Sequence, residues 1–299
     1  MSINRTIYTS SEARILSGTE VSAWAVVSGV QNASVTFNSP NTPVNAFGSK
    51  GIIDNVQMEP QTATATFSFA LPSGTGNGSH ISPTMFNELM QNSLLDTPQA
   101  IHVKIAGIGT VISGFLSSFS INAAVGDLAT CEMTFEGVPS GGMVGNDTDG
   151  ELPDKISSVA AISYPVLTAD RISGFGGGGG GSNEGGNGNP GTNNIAGFGA
   201  SVQNATFSWD VPVERVMSLG LTPSEASTFP NPPGTASITA EGLDMPFNVT
   251  GITVGGYKFS LGTQARVSSR EHNLAVGDVG ATYNITMDAT ADSCVCSNS

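Results

Sequence analysis

Val30-Gln-Asn-Ala-Ser-Val-Thr-Phe-Asn38 and Val202-Gln-Asn-Ala-Thr-Phe-Ser-Trp-Asp210 are two spellings of one segment. Laid together without a gap, Pro40 meets Pro212, Val44 meets Val216, Gly48 meets Gly220 and Pro60 meets Pro232. Downstream, Ala124-Val-Gly-Asp127 followed by Ala-Thr-x-x-x-Thr returns as Ala275-Val-Gly-Asp278 followed by the same pattern, with one residue inserted. Upstream, Arg14-Ile15 is echoed by Arg171-Ile172. Three echoes in one order indicate two tandem copies of a unit, an arrangement suited to an assembly with pseudo-symmetry.

The alternation inside the echoes says what kind of unit it is. Ala33, Val35 and Phe37 alternate with Asn32, Ser34, Thr36 and Asn38; Ala205, Phe207 and Trp209 alternate with Asn204, Thr206, Ser208 and Asp210. Period two with one apolar and one polar side marks an antiparallel strand packed on a single face. The last strands agree. Cys131, Met133 and Phe135 oppose Glu132, Thr134 and Glu136, while Tyr283, Ile285 and Met287 oppose Asn284, Thr286 and Asp288. The expected fold class is therefore mainly β: two tandem antiparallel β-sandwich or half-barrel units. Residues 1–139 form the first unit, 140–166 a linker long enough to follow a sheet edge, 167–290 the second unit, and 291–299 a C-terminal tail. Each copy holds roughly 120–130 residues, enough for a core of its own.

The copies differ in two places. The first carries Ser82-Pro-Thr-Met-Phe-Asn-Glu-Leu-Met-Gln-Asn-Ser-Leu-Leu95, with Ser82 as cap and Pro83 at the first helical position. Met85, Phe86, Leu89, Met90, Leu94 and Leu95 share one side, which predicts a short amphipathic helix lying on the sandwich. The second copy carries a Gly-rich insertion, 174–199. It satisfies G-x-G-x-x-G at Gly174-Phe-Gly-Gly-Gly-Gly179, but a glycine run does so automatically. No helix start follows to receive a pyrophosphate, and no Lys-Ser or Lys-Thr follows to make a phosphate loop. The insertion reads as a spacer or an arm reaching a neighbouring ring or the outer surface, with Phe175 and Phe198 as anchors near its ends.

Composition narrows the function. Ten Lys and Arg against 24 Asp and Glu leave a net charge of −14. Such a chain cannot gather a basic patch to grip phosphates. Letting a nucleic acid pass without sticking remains open to it, because like charge suppresses contact. No run reaches the roughly 18 apolar residues of a membrane helix. Met1-Ser-Ile-Asn-Arg-Thr-Ile-Tyr8 has no apolar signal core, so synthesis and folding are expected in the cytosol.

Three cysteines make no disulfide framework. Cys131 falls on the apolar side of its strand and reads as a small buried hydrophobe. Cys294-Val-Cys296 lies on the tail, where the two readings are a disulfide to a neighbouring subunit and a free end. His80, His102 and His272 have no partners at metal-ligand spacing, and no nucleophile elbow or Cys–His motif is present. Glu132 and Glu136 are matched in the second copy by Asn284 and Asp288, a softening that a catalytic pair would not tolerate and a solvated wall would. No enzyme, cofactor or metal is expected.

The strand Val202–Pro212, the following Glu214-Arg-Val-Met-Ser-Leu-Gly220, the proline step Phe229-Pro-Asn-Pro-Pro233 and the Thr/Ser/Ala strand after it resemble the tail tube proteins of long-tailed bacteriophages. The resemblance covers this part of the second copy and reaches the first through the echo. It implies hexameric rings stacked into a DNA-conducting tube, and for a tandem copy three chains per ring. The partners it implies are the chain itself in stacked rings, tail sheath or tail completion proteins, and DNA passing without specific binding. The location it implies is the virion tail, after assembly in the host cytoplasm. The candidate lumen-facing residues are the polar positions Asn32, Ser34, Thr36, Asn38, Glu132, Thr134, Glu136, Asn204, Thr206, Ser208, Asp210, Asn284, Thr286 and Asp288. The alternatives are another virion protein (tail terminator, tube initiator or decoration protein) and a β-sandwich binding or adhesion module.

Overall fold

A computed structural model describes residues 11–16, 24–27, 29–48, 50–57, 61–71, 81–94, 99–105, 108–139, 145–146, 167, 172–175, 201–210, 213–216, 225–228, 234–241, 251–261, 266–273, 282–289 and 294–298. The first copy supplies β1 Ser11–Leu16, β2 Trp24–Val27, β3 Val30–Asn38, β4 Asn41–Asn45, β5 Ile52–Gln57 and β6 Thr62–Ala70. The helix α1 Pro83–Leu94 follows, then β7 Gln99–Ile105, β8 Ile108–Ala124, β9 Thr130–Pro139 and β10 Gly145–Asn146. The second copy supplies β11 Ile172–Phe175, β12 Ser201–Asp210, β13 Val213–Val216, β14 Glu225–Thr228 and β15 Gly234–Glu241. It ends with β16 Gly251–Val254, β17 Tyr257–Leu261, β18 Arg266–Asn273, β19 Thr282–Ala289 and β20 Cys294–Asn298. The fold is mainly antiparallel β with one short described helix.

The duplication is repeated in the hydrogen-bonded pairings. In the first copy the order β3-β6-β9-β8 forms one run, and β10-β8-β7-β1 forms another. In the second copy the corresponding runs are β12-β15-β19-β18 and β20-β17-β16-β11. A two-stranded ribbon, β4-β5 or β13-β14, follows the first long strand in each. The irregularities are duplicated too. The register shifts between Val30 and Asn32 and again between Val202 and Asn204, so the same Val-Gln-Asn carries a β-bulge twice. A second bulge falls between Leu116 and Ser118 in β8 and between Val267 and Ser269 in β18. The long strand β8 serves both runs of its copy; in the second copy its role is divided between β17 and β18.

Among the described residues, the two copies share buried apolar packing. Strand β12 pairs directly with β8, from Asn204↔Ala124 to Asp210↔Ser118, so one sheet runs β3-β6-β9-β8-β12-β15-β19-β18 across both copies. Joining these edges satisfies backbone groups that each unit would otherwise leave open. Side chains of both copies interleave beneath the joint. Phe119 of β8 meets Phe207 and Trp209 of β12 at ring-centroid distances of 5.4 and 5.6 Å, and Phe207 stacks on Phe259 of β17 at 4.8 Å. Phe86 of α1 packs edge-on against Phe119, Tyr257 and Phe259. The Tyr257 hydroxyl donates to the Ile81 carbonyl just before the helix, 2.7 Å away. Most of the described buried apolar residues accordingly form one cluster that includes both copies. Apolar inner faces at abutting edges leave no polar boundary between the copies at this joint.

The helix follows its sequence signals. Ser82 Oγ accepts from the Met85 amide at 3.2 Å, capping a helix that starts at Pro83. Met85, Phe86, Leu89 and Met90 are buried against the sheet; Leu95 lies outside the described residues. The turn Val125-Gly-Asp127 places Gly126 at φ 94°, where a side chain would be strained. Leu167 clamps that turn, accepting from the Gly126 amide and donating to the Asp127 carbonyl at 2.8 Å each. Of the linker 140–166, only β10 is described, and it pairs along the edge of β8. The C-terminal end is not free: β20 pairs with β17, with Cys294 opposite Leu261 and Cys296 opposite Phe259.

Candidate functional site

The alternation of polar residues becomes a surface once the strands are in register. Asn32 stands opposite Ser68, Ser68 opposite Glu132, Glu132 opposite Ser120, and Ser120 is followed across the joint by Ser208. The row continues through Thr235 and Asp288 to Arg266. It crosses eight strands, roughly 34 Å at about 4.8 Å per step. Neighbouring rows read Ser34–Thr66–Thr134–Ser118–Asp210 and Thr130–Asn122–Thr206–Ser237–Thr286–Ser269. Shorter rows hold Asn38–Thr62, Thr36–Thr64–Glu136 and Asn204–Thr239–Asn284. All fourteen candidate polar positions therefore lie in the rows of one sheet face.

Burial gives this face its direction. Asn32, Ser34, Thr36, Asn38, Glu132, Asn204 and Asp210 are exposed, and Thr134, Glu136, Thr206 and Ser208 are partly so. The alternating residues Phe67, Phe69, Met133, Phe135, Ile121, Phe207 and Trp209 are buried on the other side. For Asn284, Thr286 and Asp288 the structure describes the backbone register. Hydroxyls tie the strands from side to side. Thr66 Oγ1 and Thr134 Oγ1 are 3.4 Å apart, and Thr206 Oγ1 donates to Asn122 Oδ1 at 3.1 Å across the joint between the copies.

Sequence reasoning missed part of this surface. Thr62, Thr64, Thr66 and Ser68 of β6, Ser118, Ser120 and Asn122 of β8, and Thr235, Ser237 and Thr239 of β15 all stand in the same rows. Their signal was legible: Thr62-Ala-Thr-Ala-Thr-Phe-Ser-Phe69 alternates as cleanly as the echoed strands. One cation also enters the rows, because Arg266 of β18 stands opposite Asp288.

Chemically, the face offers hydroxyls, amides and carboxylates to water. Among the described side chains it carries Glu132, Glu136 and Asp210 and no cation. Among the described residues, no group of three His, Cys, Asp or Glu side chains converges to hold a metal. His102 lies on β7 and His272 on β18; His80 lies outside the described residues. Cys131 is buried on the opposite face. Phe175 ends β11, while Phe198 and the rest of residues 176–199 of the Gly-rich insertion lie outside the described residues. No described helix is long and apolar enough to cross a membrane. Known protein-family models and curated proteins contain no match to this chain.

Proposed function

We propose that this chain is the structural subunit of a bacteriophage tail tube, with three chains closing a ring and rings stacking around a channel that conducts DNA. The observation that carries the reading is the single polar face spanning both copies, acidic in its described side chains. Three chains of eight strands would make a closed wall of 24. At about 4.8 Å per strand its backbone diameter is roughly 37 Å untilted and nearer 48 Å at a tilt of about 40°. After side chains of roughly 5 Å on each wall, the opening admits a double helix about 20 Å across.

The surface chemistry suits passage rather than capture. Phosphates find hydroxyls and carboxylates that hold water, and the repulsion reaches only about 8 Å at physiological ionic strength, enough to keep DNA off the wall without confining it. The chain's principal partner is another copy of itself. Tail sheath or tail completion proteins would meet the tube's outer surface and ends, and the location would be the virion tail.

End-on electron microscopy of the assembled protein tests the reading. Rings of three chains with six similar lobes around an open pore are expected; a compact closed dimer overturns it. Glu132→Lys with Asp288→Lys tests the lumen assignment within such rings, with slowed DNA ejection expected. Ejection at normal speed would remove these residues from the channel.

A further inference from the structure

Within one chain, the second copy meets the first through the edges of β12 and β8. The duplication maps β12 onto β3, since 202 − 30 = 172 and 210 − 38 = 172. It maps the C-terminal half of β8 onto β18 through the shared bulge, since 269 − 118 = 151. Among the described strands, β3 pairs only with β6 and β18 only with β19, so the two counterparts of the joined edges are the two ends of the eight-stranded run. We infer that β3 of one chain pairs with β18 of a second copy in the register of the internal joint, and that the β4-β5 ribbon docks on that copy's β19. This takes from the proposed function only that copies of the chain meet, and nothing about DNA.

Two differences between equivalent parts support it. Ala205, Phe207 and Trp209 on β12 are at most 1% exposed, whereas Ala33, Val35 and Phe37 at the same places on β3 are only partly buried. Among the described strands, the first set has a hydrogen-bonded neighbour across that edge and the second has none. The ribbons differ likewise. β14 lies against β9, whose counterpart in the second copy is β19. The ribbon β4-β5 is exposed wherever its side chains are described, with Ile52 and Ile53 well over half exposed and Phe47 at its tip fully so. A two-stranded ribbon is marginal alone in water, and five exposed apolar residues (Val44, Phe47, Ile52, Ile53 and Val56) give it a face to cover.

The joint is head to tail, uniting unlike edges, so it propagates until it closes a ring. The internal register Asp210↔Ser118 becomes Asn38↔Ser269 between chains, and Ser208↔Ser120 becomes Thr36↔Glu271. One component has no counterpart. The helix α1 covers the internal joint, but β15 is followed by β16 after only residues 242–250, a span without a comparable helical sequence. The joint between chains therefore buries less apolar surface than the one within the chain, and assembly depends on concentration.

Asn38 and Ser269 are both exposed, which makes them reporters. Facing residues of an antiparallel ladder have Cα atoms about 4.5–5.5 Å apart, within disulfide reach. In a Cys294→Ser, Cys296→Ser background, an Asn38→Cys variant mixed with a Ser269→Cys variant should give covalent dimers on oxidation. The double variant should give larger closed species, and each single variant alone neither. Cross-linking by Asn38→Cys alone would mean a β3-to-β3 contact and overturn the inference, as would its absence from the mixture. Rings seen by microscopy without this cross-link would sink the register and leave the tube reading standing. The cross-link in an open filament, or in a ring of another size, would do the reverse. Phe47→Asp with Ile53→Asp should raise the concentration needed for cross-linking by roughly tenfold or more without changing the melting temperature of the separate chain. Unaltered cross-linking would remove the ribbon from the joint.

Discussion

Trp209 and Phe37 occupy the same place in the two copies, and their environments make the costs of losing them differ. Trp209 is fully buried beside Phe119, so Trp209→Ala should lower stability by about 3–5 kcal/mol in a urea titration. Phe37→Ala, at a partly buried edge, should cost clearly less in the separate chain and yet impair assembly. Equal costs would mean that the edge is already covered. The indole nitrogen of Trp209 is buried without a hydrogen-bond partner, so Trp209→Phe forfeits no bond and should be milder than Trp209→Ala. Gly114 is constrained by proximity. A Cβ there would overlap the Glu136 carbonyl oxygen and lie 2.9 Å from the Gly137 Cα. Gly114→Ala should therefore destabilise by about 1–3 kcal/mol, because the partner strand's backbone must shift.

At the scale of elements, local sequence and tertiary setting each decide part of the outcome. The helix start is local: Ser82 caps it, and Ser82→Ala should cost about 1 kcal/mol, read as a lower melting temperature. The β4-β5 ribbon is decided otherwise. Its register is regular from Asn41↔Gln57 to Val44↔Asp54, yet its exposed apolar residues contribute nothing to the core. Substitutions there should leave folding unchanged and act on association alone. The echoed bulges at Gln31 and Gln203, and at Ser117 and Ser268, belong to both levels. Each inserts one residue, re-aims the strand and is copied with the sequence around it.

For the whole molecule, the decisive fact is that the two copies share buried apolar packing. Tyr257 and Phe259 of the second copy pack on Phe86 of the first, so residues 1–166 alone would leave the inner side of α1 and β8 uncovered. That fragment should lack a cooperative thermal transition, as followed by near-ultraviolet circular dichroism, and regain it when residues 167–299 are added. A cooperative transition in the isolated fragment would show that the copies are independent units. The polar face behaves in the opposite sense. Its tie from Thr206 to Asn122 crosses the joint at the surface, and substitutions there should change stability by no more than about 0.5 kcal/mol.

Strand type, the alternation that separates core from solvent, the echoed segments and the capped helix are all legible in the chain before it folds. All of these are written in neighbouring residues at spacings of two or of three to four. Of the candidate site, fourteen positions are legible because they alternate within echoed strands; those on β6, β8 and β15 are periodic too but carry no echo to single them out. Folding in three dimensions joins the copies edge to edge, places β8 in both strand runs of its copy, pairs residues 294–298 as β20, and lines up scattered polar residues in rows across eight strands. Strand partners are chosen by long-range backbone pairing and by apolar surface that must be shared. Nothing in the residues flanking Asp210 names Ser118 as its neighbour.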